Sequence, residues 1–182
     1  MYPIFRLFKE MILHPRSGVA PLMDTHVSHH RCWPHDIDVY MEMNHGRILT
    51  ILDLGRTSMA HRVGLLSTIR RNNWGLTMAG VSVRYRKRIK AFDKFRTVSR
   101  VVGWDDRFVY IEQSIWIGET CAVQALYRSA VTEKAGIVAP TRLLDALGED
   151  TTSPGMPGWV QSWIDAEATR PWPPTATAPA QI

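Results

Sequence analysis

The sequence lacks most devices that hold a chain together or anchor it from outside its own core. Only two cysteines occur, Cys32 and Cys121, with no Cys-x-x-Cys or Cys/His ligand spacing. That argues against a disulfide framework or a structural zinc site, and predicts two buried thiols in strand-like stretches, in a reducing compartment such as the cytoplasm. No apolar run is long enough to span a bilayer. The opening MYPIFRLFKEMILHPRSG has Ile4, Phe5, Leu7, Phe8, Met11, Ile12 and Leu13 interrupted by Arg6, Lys9 and Glu10, so it lacks the unbroken apolar run of a secretory signal. It reads as a short amphipathic helix within residues 1–20. Its apolar face either packs on the domain or a partner, or makes a peripheral contact with a membrane surface; packing is the expectation.

What the chain does have is core material and one concentrated charge. With 182 residues, 45% hydrophobic, and seven Trp, five Tyr and five Phe, it can enclose one sizeable core, here assigned to residues 21–148. Residues 149–182 read as a polar linker, a short helix with Trp159 and Trp163 one turn apart, and a disordered Pro/Ala-rich tail from Thr169. The formal net charge is +5, yet residues 84–100 hold eight Lys and Arg against Asp93 alone. The remainder is faintly acidic, a distribution suited to one anionic ligand rather than to polyanions in general.

Residues 24–33 suit a strand closed by Pro34. From Asn44 to about Leu66 the apolar positions Ile48, Ile51, Leu52, Met59, Val63 and Leu66 recur at three- and four-residue steps, predicting a long helix with Gly55 in its buried stripe. The pattern then switches to period two. In GVSVRYRKRI, Val81, Val83, Tyr85 and Ile89 fall on one face and Ser82, Arg84, Arg86 and Arg88 on the other. Strands are expected over 95–104, 108–117 and 121–132, joined by the tight turns GWDDR and GET. The predicted class is α+β: strand, long helix, four-strand meander, then a short helix after Pro140. His26 and His30 share one face of the first strand and His29 takes the other, so the three cannot converge on one metal ion and no metal site is assigned.

The junction DIDVYMEMNHGR, residues 36–47, carries most of the candidate chemistry. Asn44 is a good helix N-cap. Asp36, Asp38 and Glu42 crowd three carboxylates beside the partial positive charge and free amides of a helix start, more than capping requires. The junction resembles the signature of hot-dog-fold acyl-CoA thioesterases of the 4-hydroxybenzoyl-CoA thioesterase-like group, roughly Asp-x-Asp-x-x-x-His-x-Asn-Asn-x-x-Tyr. Asp36, Asp38 and Asn44 match, while the pattern's His, second Asn and Tyr fall on Glu42, His45 and Ile48. NHGRILTILDLGR, GLTMAGVSVRYRKRI and GWDDRFVYIEQSIW resemble a bacterial branch near the thioesterase superfamily member six type, and the likeness covers about residues 20–135.

The resemblance implies a hot-dog fold and a cofactor-independent thioesterase acting on acyl-CoA or acyl carrier protein. Asp38 would be its nucleophile or general base, and the amides of Asn44, His45 and Gly46 its oxyanion site. Glu42 would act as a second base, orient water, or mark lost chemistry; His45 is either structural or a substrate contact. Arg84, Arg86 and Arg88, about 6.5 to 7 Å apart along one strand face, would bind the CoA phosphates or form a solvated outer face. Nucleic acid is the weaker partner, since Tyr85 falls opposite the arginines and offers them no stacking platform. The resemblance further implies a homodimer or tetramer, with the basic strand of one subunit lining the Asp38 pocket of the other. Two other functions fit the departures from the pattern: a non-catalytic acyl-CoA-binding or interaction protein, and a hydratase or dehydratase using His45 with Glu42.

Overall fold

The computed structural model describes residues 3–13 and 20–174, so the end of the Pro/Ala-rich tail, from residue 175, lies outside the described residues. Helix α2 (His45–Arg62) is its axis. The Asn44 side chain caps the first turn, accepting a 2.9 Å bond from the Gly46 amide. Ile48, Ile51, Leu52, Met59 and Val63 are all buried, as the periodicity predicts. The helix ends before Leu66. Gly64 takes the left-handed conformation at φ 77°, and a separate helix, α3 (Leu65–Arg71), begins there.

Six strands form one antiparallel sheet: β1 (His26–Arg31), β2 (Gly75–Tyr85), β3 (Lys94–Trp104), β4 (Val109–Ile117), β5 (Thr120–Glu133) and β6 (Gly136–Val138). Their order is β1-β3-β4-β5-β2, with β6 pairing the end of β5. The expected four-strand meander is therefore three strands long. The tight turns after β3 and β4 enforce hairpins, whereas the longer connection over residues 86–93 lets β2 lie at the far border, paired with β5. Bulges at Met78/Gly80, Val101/Gly103 and Ile115/Trp116 help curl the sheet around α2.

The helix–sheet contact is polar at its centre. Buried Gln113 donates to the Leu52 carbonyl (2.8 Å) and to Ser99 Oγ (2.7 Å), and accepts from Arg56 (2.8 Å). The Arg56 guanidinium lies 3.8 Å from the centroid of the Tyr127 ring. Gly55 stands directly above this network: a Cβ there would sit 2.9 Å from Ser99 Oγ and 3.3 Å from Thr97 Oγ1. Glycine lets the helix settle onto the sheet.

Helix α4 (Pro140–Leu147) closes one end of the core with Trp74, Val131 and Val138. Helix α5 (Gly158–Ala168) covers the sheet face opposite α2, where Val160 and Trp163 pack with Val102, Tyr110 and Leu126. Helix α1 (Ile4–Leu13) corrects the packing expectation, because its polar side is the one turned inward. Arg6 reaches buried Asp36 at 2.6 Å, and Glu10 is buried beside His30. Lys9 and Arg6 donate to the His29 and Arg31 carbonyls of β1, at 3.0 and 3.4 Å. A sheet border offers such acceptors, and the helix cations take them; Leu7 packs against the main core while Phe5, Phe8 and Ile12 are exposed.

His26 and His30 are buried and His29 is exposed, the alternation expected of β1. Among the described residues no three His, Cys, Asp or Glu side chains group at metal-binding distance. Cys32 is buried just past β1 and Cys121 is half-buried in β5; both are free thiols. Burial raises both, Cys32 to about 11, so neither is an activated nucleophile.

Candidate active site

Between β1 and α2 the chain makes a 3₁₀ turn (Pro34–Asp36) and then a tight loop. The Met41 amide donates to the Asp38 carbonyl at 3.0 Å, the Asp38 amide to the Glu42 carbonyl at 2.9 Å, and Met41 takes φ 60° to close the turn. The three carboxylates of the junction are thereby sent to different tasks. Asp36 points into the protein, where it accepts from the Trp33 amide (2.8 Å) and pairs with Arg6 (2.6 Å) and Arg47 (3.2 Å). It ties α1 to the start of α2. Asp38 and Glu42 face a cavity of about 590 Å³.

Asp38 is half-buried at the wall of that cavity. One carboxylate oxygen accepts from the Tyr40 amide at 2.9 Å, and the other lies a long 3.5 Å from Asn44 Nδ2. Glu42 pairs with Arg88 at 2.9 Å. Of the three amides considered for an oxyanion, two are already engaged: Asn44 N donates to the Asp36 carbonyl (3.1 Å) and Gly46 N to Asn44 Oδ1 (2.9 Å). Among the described residues no acceptor engages the His45 amide, at the first helical position, and the His45 residue itself lines the cavity.

The basic residues divide. The β2 ladder ends at Tyr85, because Arg86 N and Lys87 N both donate to the single carbonyl of Ala122, at 2.8 and 3.2 Å, and alternation is lost there. Arg86, Lys87 and Arg88 consequently all line the Asp38 cavity, in the same chain as Asp38. Arg84, still within the strand, lies on the other sheet face beside Trp159 and Trp163. A bond from Met43 N to the Ile89 carbonyl (2.8 Å) locks this basic segment against the helix start. Tyr40, Met43, Ile48, Tyr85 and Ile89 form the apolar part of the wall. No motif marks Tyr40 or Tyr85 as a site residue, although the period-two pattern already sets Tyr85 apart from the arginines.

A curled antiparallel sheet wrapped around one central helix is the hot-dog fold. Residues 32–164 match the family model described as the Thioesterase-like superfamily, and the chain belongs to that superfamily. The protein is accordingly a thioesterase, an enzyme of acyl-thioester hydrolysis.

Protein THEM6 of Drosophila melanogaster is 28% identical over 166 residues, covering 90% of this chain and 82% of that one. Protein THEM6 of Xenopus laevis is 34% identical over 80 residues, 44% of this chain and 39% of that one. Among solved structures, the probable thioesterase YbaW from Escherichia coli superposes with a TM-score of 0.63 at 16% identity, over 67% of this chain and 96% of that one. The 1,4-dihydroxy-2-naphthoyl-CoA thioesterase Slr0204 from Synechocystis gives 0.58 at 11% identity, over 69% of this chain and 96% of that one. At these identities the structural likeness speaks to the fold.

Proposed function

We propose that the protein hydrolyses acyl-CoA thioesters with Asp38 as general base. The reading rests on one observation: Asp38, the first turn of α2, an apolar wall and a basic lip share one cavity. Asp38 accepts the proton of a water molecule as that water adds to the thioester carbonyl, and afterwards releases it to solvent. The oxyanion is held by the His45 amide at the positive end of the helix, a donor of the kind that contributes about 3 kcal/mol. Collapse of the tetrahedral adduct expels the thiolate, which leaves without a strong acid and takes a proton from solvent. Tyr40, Met43, Ile48, Tyr85 and Ile89 would receive the acyl chain, and Arg86, Lys87 and Arg88 the CoA phosphates. Glu42 supports the site by holding Arg88.

The same chain is proposed to act as a homodimer paired through β2, whose outer edge is open and carries exposed Leu76, Met78, Val81 and Tyr85. Its free thiols suit the cytoplasm. Thiol release from acyl-CoAs of graded length tests the assignment. Turnover is expected from wild type and a loss of about 10²- to 10⁴-fold from Asp38→Asn. Binding without thiol release, or Asp38→Asn turning over at the wild-type rate, would reject it.

A further inference from the structure

Helix α1 is amphipathic in the reverse sense for a helix of a soluble domain. Glu10 is 1% exposed and Arg6 is bonded inward, whereas Phe5 is 92% exposed, Ile12 70% and Phe8 62%. Exposed Ile4 extends the same apolar arc. Polar side chains dock the helix, so burying the arc by turning it inward would break the Arg6–Asp36 pair and the Lys9 and Arg6 bonds to β1. The arc is convex and has no partner among the described residues.

A basic surface adjoins it. Lys9 stands beside Phe5, Phe8 and Ile12 on the helix and also lines a groove of about 390 Å³ with Arg31, Lys94, Arg96 and Trp116. Among the described residues no ion pair engages Arg31 or Lys94, Lys9 meets Glu10 at 3.8 Å, and Arg96 meets exposed Glu119 at 3.7 Å. A second copy of the chain is a poor occupant, because a two-fold contact centred on α1 would bring this cationic groove close to its own image. An anionic bilayer meets both halves, taking the apolar ridge below its headgroups and the cations at its surface.

We infer that α1 and the adjoining β1–β3 groove form a peripheral docking surface for membranes carrying anionic lipid, with Phe5, Phe8 and Ile12 inserted and Lys9, Arg31, Lys94 and Arg96 at the phosphates. Co-sedimentation of the full chain with vesicles tests it, comparing phosphatidylcholine alone with an equimolar phosphatidylcholine–phosphatidylglycerol mixture. Binding to the anionic vesicles is expected to weaken at high salt, at least about tenfold in Phe5→Ser/Phe8→Ser, and at least about tenfold in Arg31→Gln/Lys94→Gln. These four side chains lie outside the Asp38 cavity, so thiol release from a short, water-soluble acyl-CoA should be unchanged in both variants. Equal binding to both vesicle types, or undiminished binding by Phe5→Ser/Phe8→Ser, would overturn the inference. So would a solution mass that falls on making Phe5→Ser/Phe8→Ser, which would assign the ridge to self-association.

Discussion

Gly55→Ala probes how tightly the helix that carries the site is seated. The new methyl would stand 2.9 Å from Ser99 Oγ, 3.2 Å from Gln113 Nε2 and 3.3 Å from Thr97 Oγ1, all belonging to short or bonded side chains. Overpacking of this kind costs about 1–3 kcal/mol. Alanine returns about 1 kcal/mol of helix propensity, so the net loss should be up to about 2 kcal/mol. For a chain of this size that is a fall in Tm of up to roughly 8 °C. Thermal unfolding followed by circular dichroism reads it directly. A double-mutant cycle with Ser99→Ala sharpens the test: removing the nearest oxygen should make Gly55→Ala less costly, giving a coupling of about 0.5 kcal/mol or more. A Gly55→Ala protein that melts above the wild-type temperature, or strictly additive effects in the cycle, would refute the close approach of α2 to β3.

Other perturbations follow from the same geometry. Glu42→Gln should cost under about 1 kcal/mol in stability, because the pair with Arg88 is solvent-accessible, and reduce kcat/KM far less than Asp38→Asn does; equal losses would make Glu42 a second base. Arg86→Gln/Lys87→Gln should raise KM for acyl-CoA by about three- to tenfold while leaving that for an acyl-pantetheine unchanged, and a parallel rise for both substrates would remove the phosphate role. Burial, helped by Lys9 and Arg6, lowers His30 from 6.5 to about 3. Between those values the unfolded chain binds a proton that the native imidazole refuses, so this contribution to stability is complete above pH 6.5 and is lost as pH falls. Glu10, raised by burial, acts with the opposite sign as pH falls toward its ordinary value. His30→Gln should flatten the acid-side decline of Tm relative to wild type, and parallel curves would contradict the assignment.

The main helix and the strands were legible because their apolar residues recur at the period of the element they form. Ile48, Ile51, Leu52, Met59 and Val63 describe one helical stripe, and Val81, Val83 and Tyr85 one face of β2. The partner of β2 was not legible: alternation tells which side a residue faces but not which strand lies beside it. The same limit explains the division of the arginines. Arg84 obeys the two-residue period, whereas Arg86 and Arg88 lie past Tyr85, where both amides following β2 share the Ala122 carbonyl. Within the site, the loop residues Asp38, Glu42 and Asn44 stood out because polar groups concentrated before a helix have few ordinary uses. That Asn44 N and Gly46 N are consumed internally depends on bonds to Asp36 and Asn44 that spacing alone does not reveal. The orientation of α1 escapes the sequence for a related reason: helical periodicity finds an apolar side, but Asp36 and the β1 carbonyls decide which side is held.

Among the described residues, the cations of α1 occupy the His29 and Arg31 carbonyls along the β1 margin of the sheet, and no helix cation takes the carbonyls of the β2 margin. Strand addition is therefore favoured at β2 over β1. If two molecules pair there, each β2 edge is taken up by the other, and such a contact closes on itself instead of running on into a fibre.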